Sequence, residues 1–266
     1  MRHALFLPIF EELAEPITVA RLAAEAEAAG WDGVFVWDHI AYRDVSAVAD
    51  PWITLAAMAC ATEKIRLGPM VTPLPRRRPV KVAREVVTLD RLSRGRVTLG
   101  VGIAGDASRE LSGTDEAIDA RVRASMLDEA LEVITAAWGG SNTSHRGAHY
   151  LVDDLVLGPA PIQQPRPPIW VGVRYGNQAP LRRAARYDGV FPVLVRNPEQ
   201  LAEVVEGVRA NRAPDAGPFD VAVGAVPGTD PAPYEAVGAT WFLTSFSPVG
   251  MSVAQARGAL ADGPPV

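Results

Sequence analysis

The chain has 266 residues, nearly half of them hydrophobic, 31 acidic and 26 basic. That is enough apolar content for a large core, and it excludes disorder, collagen-like repeats and a small disulfide scaffold. A net charge of -5 gives no general attraction to nucleic acid or to an anionic membrane surface, so neither is expected as a partner. No stretch approaches the roughly 18 consecutive apolar residues of a membrane span, and the expected location is the cytoplasm. The single cysteine, Cys60, lies among Leu55, Ala56, Ala57 and Met58, which predicts a reduced thiol buried in the core.

Short apolar runs alternate with helical patterns along the whole chain. Ala4 to Ile9 reads as a first strand, since Pro8, Glu11 and Glu12 cut short any resemblance to a signal peptide. Pro16 then opens a helix that stops at Gly30. Gly33 to Trp37 is the second strand, and Asp50 with Pro51 caps a helix over Trp52 to Thr62. Ile65 to Val71 is the third strand, followed by a helix from Pro79 to near Gly95. Arg96 to Val101 is the fourth. An amphipathic helix follows, with Val122, Met126, Leu127, Ala130, Leu131, Ile134 and Trp138 on one stripe.

Residues 141–168, rich in proline at their end, read as an excursion over the surface. Ile169 to Val173, Val190 to Val195, Phe219 to Ala225 and Thr240 to Ser245 supply strands five to eight. Helices are expected over Pro180 to Tyr187, from Asn197 through Val208, from Asp230, and over Val253 to Leu260. Eight strands alternating with eight helices favour one closed (β/α)₈ TIM barrel, in the α/β class, over an open doubly wound sheet. The run Gly100 to Gly105 lacks a dinucleotide fingerprint leading into a helix.

In such a barrel the reactive groups sit at the C-terminal ends of the strands. Strand two ends in Trp37, Asp38 and His39, and His39 is the histidine at that face, suited to proton transfer or to a hydrogen bond with a cofactor ring. A turn-forming role for the pair is the plain alternative. Strand three ends in Met70, Val71 and Thr72, and strand four in Gly102, with Asp106 shortly beyond. After strand five, Arg174, Tyr175, Gly176 and Asn177 combine a fixed charge, a close-approach glycine and a polar amide that together could hold a phosphate, unless they are simply structural. His145 and His149 are four apart, but Gly147 and the polar residues around it predict a loop and hairpin, and no metal is expected. Arg76, Arg77 and Arg78 form a charge run that is solvated unless an anionic tail reaches the rim.

Three segments carry a family resemblance: Gly30-Trp-Asp-Gly-Val-Phe-Val-Trp-Asp-His39, Ile65-Arg-Leu-Gly-Pro-Met-Val-Thr72, and Leu89-Asp-Arg-Leu-Ser-Arg-Gly-Arg-Val-Thr-Leu-Gly-Val-Gly102. With Leu181 to Gly189, they resemble the luciferase-like flavin-dependent monooxygenases and their coenzyme F420-dependent relatives. The resemblance implies reduced FMN or reduced F420 at the strand C-termini, with the ring against strand three and a non-prolyl cis peptide between Met70 and Val71. It implies His39 as the active-site histidine, Asp38 as the acid before it, and Arg174, Gly176 and Asn177 as the phosphate grip. Asp106 is placed toward the ring or the substrate.

Two departures are visible. Ile103 stands where luciferases carry a phosphate-contacting arginine, which favours F420 over FMN, and the insertion that covers the site is reduced. The implied activity is that of an oxidoreductase acting on a small organic substrate, with dioxygen as co-substrate in the FMN case and a homodimer as the assembly. A binding protein without catalysis, or a metal-dependent hydrolase, is the alternative.

Overall fold

The computed structural model describes residues 1–265. The strands are β1 (Arg2–Leu7), β2 (Gly33–Val36), β3 (Arg66–Pro69), β4 (Thr72–Pro73), β5 (Leu99–Gly102), β6 (Asn142–Arg146), β7 (Leu151–Val156), β8 (Ile169–Arg174), β9 (Gly189–Val193), β10 (Asp220–Ala225) and β11 (Trp241–Ser245). The helices are α1 (Pro16–Ala28), α2 (Pro51–Ala61), α3 (Pro79–Leu92), α4 (Ala120–Trp138), α5 (Gln178–Ala184), α6 (Pro198–Arg209), α7 (Ala232–Ala236) and α8 (Val253–Ala261). Single 3-10 turns cover Glu11–Ala14 and Leu74–Arg76.

Nine strands form one parallel sheet in the order β3-β2-β1-β11-β10-β9-β8-β5-β4. The third expected strand is broken in two: a cis peptide joins Met70 to Val71, with β3 on one side and β4 on the other. A bridge from Leu67 to Val97 on one side, and the Thr72–Val101 pairing on the other, bring both halves against the fourth strand and close the ring. The result is an eight-stranded (β/α)₈ barrel. All its strands point the same way, so their C-terminal ends share one mouth.

The helix starts follow local chemistry. Pro occupies the first turn of α1, α2, α3 and α6, where its missing N–H costs nothing, and the Asp50 and Asn197 side chains accept from Ile53 and Gln200 backbone N–H groups. Gly30 and Gly95, just past α1 and α3, sit at φ +85° and +86°, a region other residues avoid.

Two apolar layers result. Leu5, Leu7, Val34, Val36, Leu67, Leu99 and Val171 face out against the helices, whereas Phe6, Phe35, Met70, Trp170, Phe191, Ala222, Trp241 and Leu243 fill the inside. Residues alternate between these layers along each strand, as period-two geometry demands.

The expected elements are present, with boundaries shifted by two or three residues. The first strand is centred earlier than Ala4 to Ile9, the fourth begins at Leu99, and residues 141–168 contain the antiparallel hairpin β6-β7 outside the barrel. Cys60 requires a correction: its thiol is exposed, not buried. Helix α2 is apolar around most of its circumference, so composition did not reveal which face meets the core, and Cys60 falls on the outer one. No helix among the described residues is long and apolar enough to cross a membrane.

Candidate functional site

The mouth takes its floor from the broken strand. Glycines stand opposite it: a Cβ on Gly102 would lie 2.7 Å from Val71 Cγ2, and one on Gly172 would lie 3.2 Å from Val71 Cγ1. On Gly100 it would come within 2.7 Å of Met70 Sδ. The fourth and fifth barrel strands thus give up side chains to let Met70 and Val71 lie inside the barrel. Val71, Trp37 and Val193 are partly buried and cap the inner layer. Phe6 packs on Trp37 and Phe191, with ring centroids 5.5 Å apart in each case. Trp37 Nε1 is buried without a hydrogen-bond partner, as are the indole nitrogens of Trp31, Trp52, Trp170 and Trp241.

A chain of charged groups runs along one side of the mouth. The Asp38 carboxylate, at the end of β2, is wholly buried and accepts from Thr72 Oγ1 at 2.8 Å, Arg76 Nη2 at 3.0 Å and Arg77 Nη2 at 2.9 Å. Arg76 spans to a second buried carboxylate, donating from Nη1 to Glu110 at 2.9 Å. Glu110 in turn takes His39 Nδ1 at 2.6 Å and the backbone N–H groups of Ile40 and Ala41 at 2.6 and 3.3 Å.

Burial by itself would push the Glu110 carboxyl upward. The hydrogen bond and charge of His39, the Ile40 N–H and the Arg76 guanidinium outweigh that, and hold it down at about 2. An ionised Glu110 fixes the proton of His39 on Nδ1, which leaves Nε2 as the exchangeable position. The His39 side chain is 28% exposed, enough to reach a bound molecule. Its ring also lies 5.1 Å edge-on from Tyr42 and 5.9 Å from Phe10, which restrict its rotation.

The structure brings together His39, Asp38, Thr72, Met70, Val71 and Gly102. Asp106 is placed differently from the expectation. Its carboxylate accepts from the Leu111 and Ser112 backbone N–H groups at 2.9 and 3.1 Å, which holds the turn that presents Glu110. The carboxylate beside His39 is Glu110, a residue that sequence reasoning missed. It lies 71 positions from His39, in the irregular segment before α4, with no local pattern to mark it.

Across the mouth, Trp170 and Gly172 face inward on β8, so period-two alternation places Arg174 on that same face at the rim. Arg174 is exposed and makes no ion pair among the described residues. Gly176 sits at φ +88°, and Tyr175 donates its hydroxyl to Glu203 at 2.7 Å. Tyr175, Gly176 and Asn177 line a shallow cavity of about 40 Å³ with Val173, Gln178, Leu181, Glu203 and Val204. Glu203 on that wall disfavours an anion deep in the cavity and leaves Arg174 as the anion-facing group of the loop. His145 lies 3.4 Å from Glu129 on the outer hairpin, away from the mouth.

Comparison with known proteins agrees with this architecture. The profile of the luciferase-like monooxygenase family matches residues 1–262. The F420-dependent hydroxymycolic acid dehydrogenase of Mycobacterium tuberculosis is 35% identical over 179 residues, 65% of this chain and 48% of that protein. The oxygenase component of a flavin-dependent trigonelline monooxygenase from Acinetobacter baylyi is 29% identical over 184 residues, 66% of this chain and 50% of that one. The chain thus spans about half the length of these curated relatives. The structure of the coenzyme F420 dependent tetrahydromethanopterin reductase from Methanopyrus kandleri superposes with a TM-score of 0.78 at 18% identity, over 99% of this chain and 98% of that one. A likeness at that identity speaks for the barrel, while the family profile spans nearly the whole sequence, broken third strand and strand-two histidine included. The chain belongs to the luciferase-like monooxygenase family.

Proposed function

We propose that the protein is an oxidoreductase that takes reduced coenzyme F420 or reduced FMN over the C-terminal ends of its barrel strands and acts on a small organic substrate. One observation carries this reading. A histidine held by a buried carboxylate stands beside a glycine-flanked apolar floor, at the mouth of a barrel of this family.

The residues present fit such a cofactor. Val71, flanked by Gly102 and Gly172, with Met70 behind it, offers a flat apolar seat for a ring, and Arg174 offers a free cation for a phosphate. When bound, the cofactor supplies hydride in the F420 case or activates dioxygen in the FMN case. Ile103, in place of the luciferase arginine, makes F420 the first cofactor to test.

The chain's own part is positioning and proton movement. Glu110 holds the His39 ring and its tautomer, and His39 Nε2 gives a proton to, or takes one from, the reacting oxygen of the substrate. Asp38 anchors Arg76 and Arg77, and Arg76 keeps Glu110 in place. Thr72 fixes the backbone after the break through its bond to Asp38. Asp106 serves by holding the loop that carries Glu110. A single barrel unit, assembled as a homodimer, completes the reading.

Titration of the purified protein with F420 and with FMN, each oxidised and reduced, tests the proposal. Micromolar or tighter binding of one cofactor is expected, retained in His39→Ala while turnover falls about 10²-fold or more. Binding of neither cofactor would end the reading.

A further inference from the structure

A second cavity, of about 200 Å³, opens behind the charged side of the mouth. Its wall is made of Arg76, Arg77 and Arg78 with Pro75, Glu116, Met126 from α4, and Tyr150 from the turn between β6 and β7 of the outer hairpin. The arginine run is therefore not simply a solvated face.

An account of its donors shows which are spent. Arg76 gives one nitrogen to Asp38 and one to Glu110, and Arg77 gives Nη2 to Asp38. Arg77 Nε is buried with no partner, and Arg78 makes no ion pair or side-chain hydrogen bond among the described residues. Tyr150 is 8% exposed, yet its hydroxyl, too, has no partner. Burial pushes that hydroxyl's pKa up while the nearby Arg78 charge pulls it down, so it remains a protonated donor at neutral pH with a cation beside it. Arg78 is also the cap of α3, whose first-turn N–H groups and dipole favour negative charge at that end.

We propose that this cavity is a binding site for a small oxyanion, a phosphate or carboxylate group, held by Arg77, Arg78 and the Tyr150 hydroxyl. The donors left over are what such a group needs: a guanidinium edge, a free guanidinium and a neutral hydroxyl. At about 30 Å³ per water, the space admits an oxyanion and several waters. Glu116 is the opposing charge on the wall, and it sets the site's selectivity by weakening any anion that does not engage both arginines. The site stands apart from Arg174 and does not depend on which redox cofactor the mouth takes. Its occupant is an anionic group of the cofactor or of the substrate.

Calorimetric titration with inorganic phosphate, at ionic strength held constant with chloride, tests it. Saturable binding is expected in the wild type. Arg78→Gln should weaken it tenfold or more and Glu116→Gln should tighten it several-fold. Tyr150→Phe should weaken it several-fold without lowering the melting temperature of the phosphate-free protein, because the hydroxyl it removes has no partner there. A purely structural tyrosine would show no such split. Absence of saturable binding in the wild type overturns the proposal, as does equal affinity in Arg78→Gln and Tyr150→Phe, or a loss confined to Arg174→Gln. Repeating the titration on cofactor-saturated protein separates the sources: competition identifies an anionic group of the cofactor, and undiminished binding identifies a substrate group. Phosphate binding without binding of FMN or F420 would strike the proposed function and leave this site standing.

Discussion

Glu110 Oε2 lies 2.6 Å from His39 Nδ1, and the same carboxylate reaches through Arg76 to Asp38. One buried anion thus sets the orientation of the proton-carrying ring and ties the ends of β2 and β4 to the loop before α4. Replacing Glu110 by Gln keeps the shape, removes the charge that holds Nδ1–H, and leaves Arg76 and Arg77 to share the single carboxylate of Asp38. Turnover should fall about 10²-fold with the cofactor's affinity nearly unchanged, and the pH dependence of kcat should shift because the His39 tautomer is no longer fixed. A variant that keeps both the wild-type rate and its pH profile would remove Glu110 from the positioning of His39.

The same carboxylate gives a pH dependence of stability. Its folded-state pKa is about 2 against an ordinary value of 4.5, so the folded form holds the proton less tightly than the unfolded one. The associated stability is fully present above about pH 4.5 and is lost as pH falls toward 2. Urea midpoints measured from pH 6 to pH 2 should decline through that window, and Glu110→Gln should decline less steeply. Parallel curves for the two proteins would show that Glu110 does not carry the acid sensitivity.

Much of this was legible in the sequence, for identifiable reasons. Barrel strands buried on both faces read as continuous apolar runs, and proline at the first helical turn marks the helix starts, so the alternation of eight and eight emerges from local signals. The ends of strands two and three placed Asp38, His39, Met70 and Val71 without any tertiary information. The break within Ile65 to Val71 is invisible in apolar periodicity and came only through the family resemblance. Glu110 was not legible, because its meeting with His39 depends on the fold of the segment after strand four. Asp106, closer to that strand, was the natural choice from spacing, and its bonds to Leu111 and Ser112 belong to a turn that spacing does not reveal.

Gly102 tests whether the floor under Val71 matters. An alanine Cβ there would come within 2.7 Å of Val71 Cγ2, closer than two carbons can approach, so Val71 must move. Gly102→Ala should cost about 1 to 3 kcal/mol in chemical denaturation and weaken cofactor binding measurably. Adding Val71→Ala should restore part of both, since the two changes act on one contact. Strictly additive effects in the double variant would mean that the glycine is needed for some other reason.

Arg96 gives a test of the scaffold alone, away from the mouth. It is buried and donates from Nε to the Ser93 carbonyl, from Nη1 to Thr62 Oγ1 and the Ile65 carbonyl, and from Nη2 to the Ala59 and Thr62 carbonyls, at 2.6 to 3.0 Å. No carboxylate balances it directly; the carbonyls at the C-terminal end of α2 that the helix itself leaves unpaired carry the negative end of that helix dipole and take that part. A lysine there has three donors on one atom instead of five on a rigid fork, so it would leave at least two of these oxygens unmet. Arg96→Lys should lower stability by about 2 to 4 kcal/mol, at about 1 to 3 kcal/mol for each buried polar group left unsatisfied, partly offset by waters. Cofactor affinity per folded molecule should stay at the wild-type value, because α2's C-terminus and the start of β3 lie at the far end of the barrel from His39. A melting temperature within a degree of wild type would show that water replaces the fork without loss, and a fall in affinity with stability intact would place Arg96 in communication with the mouth.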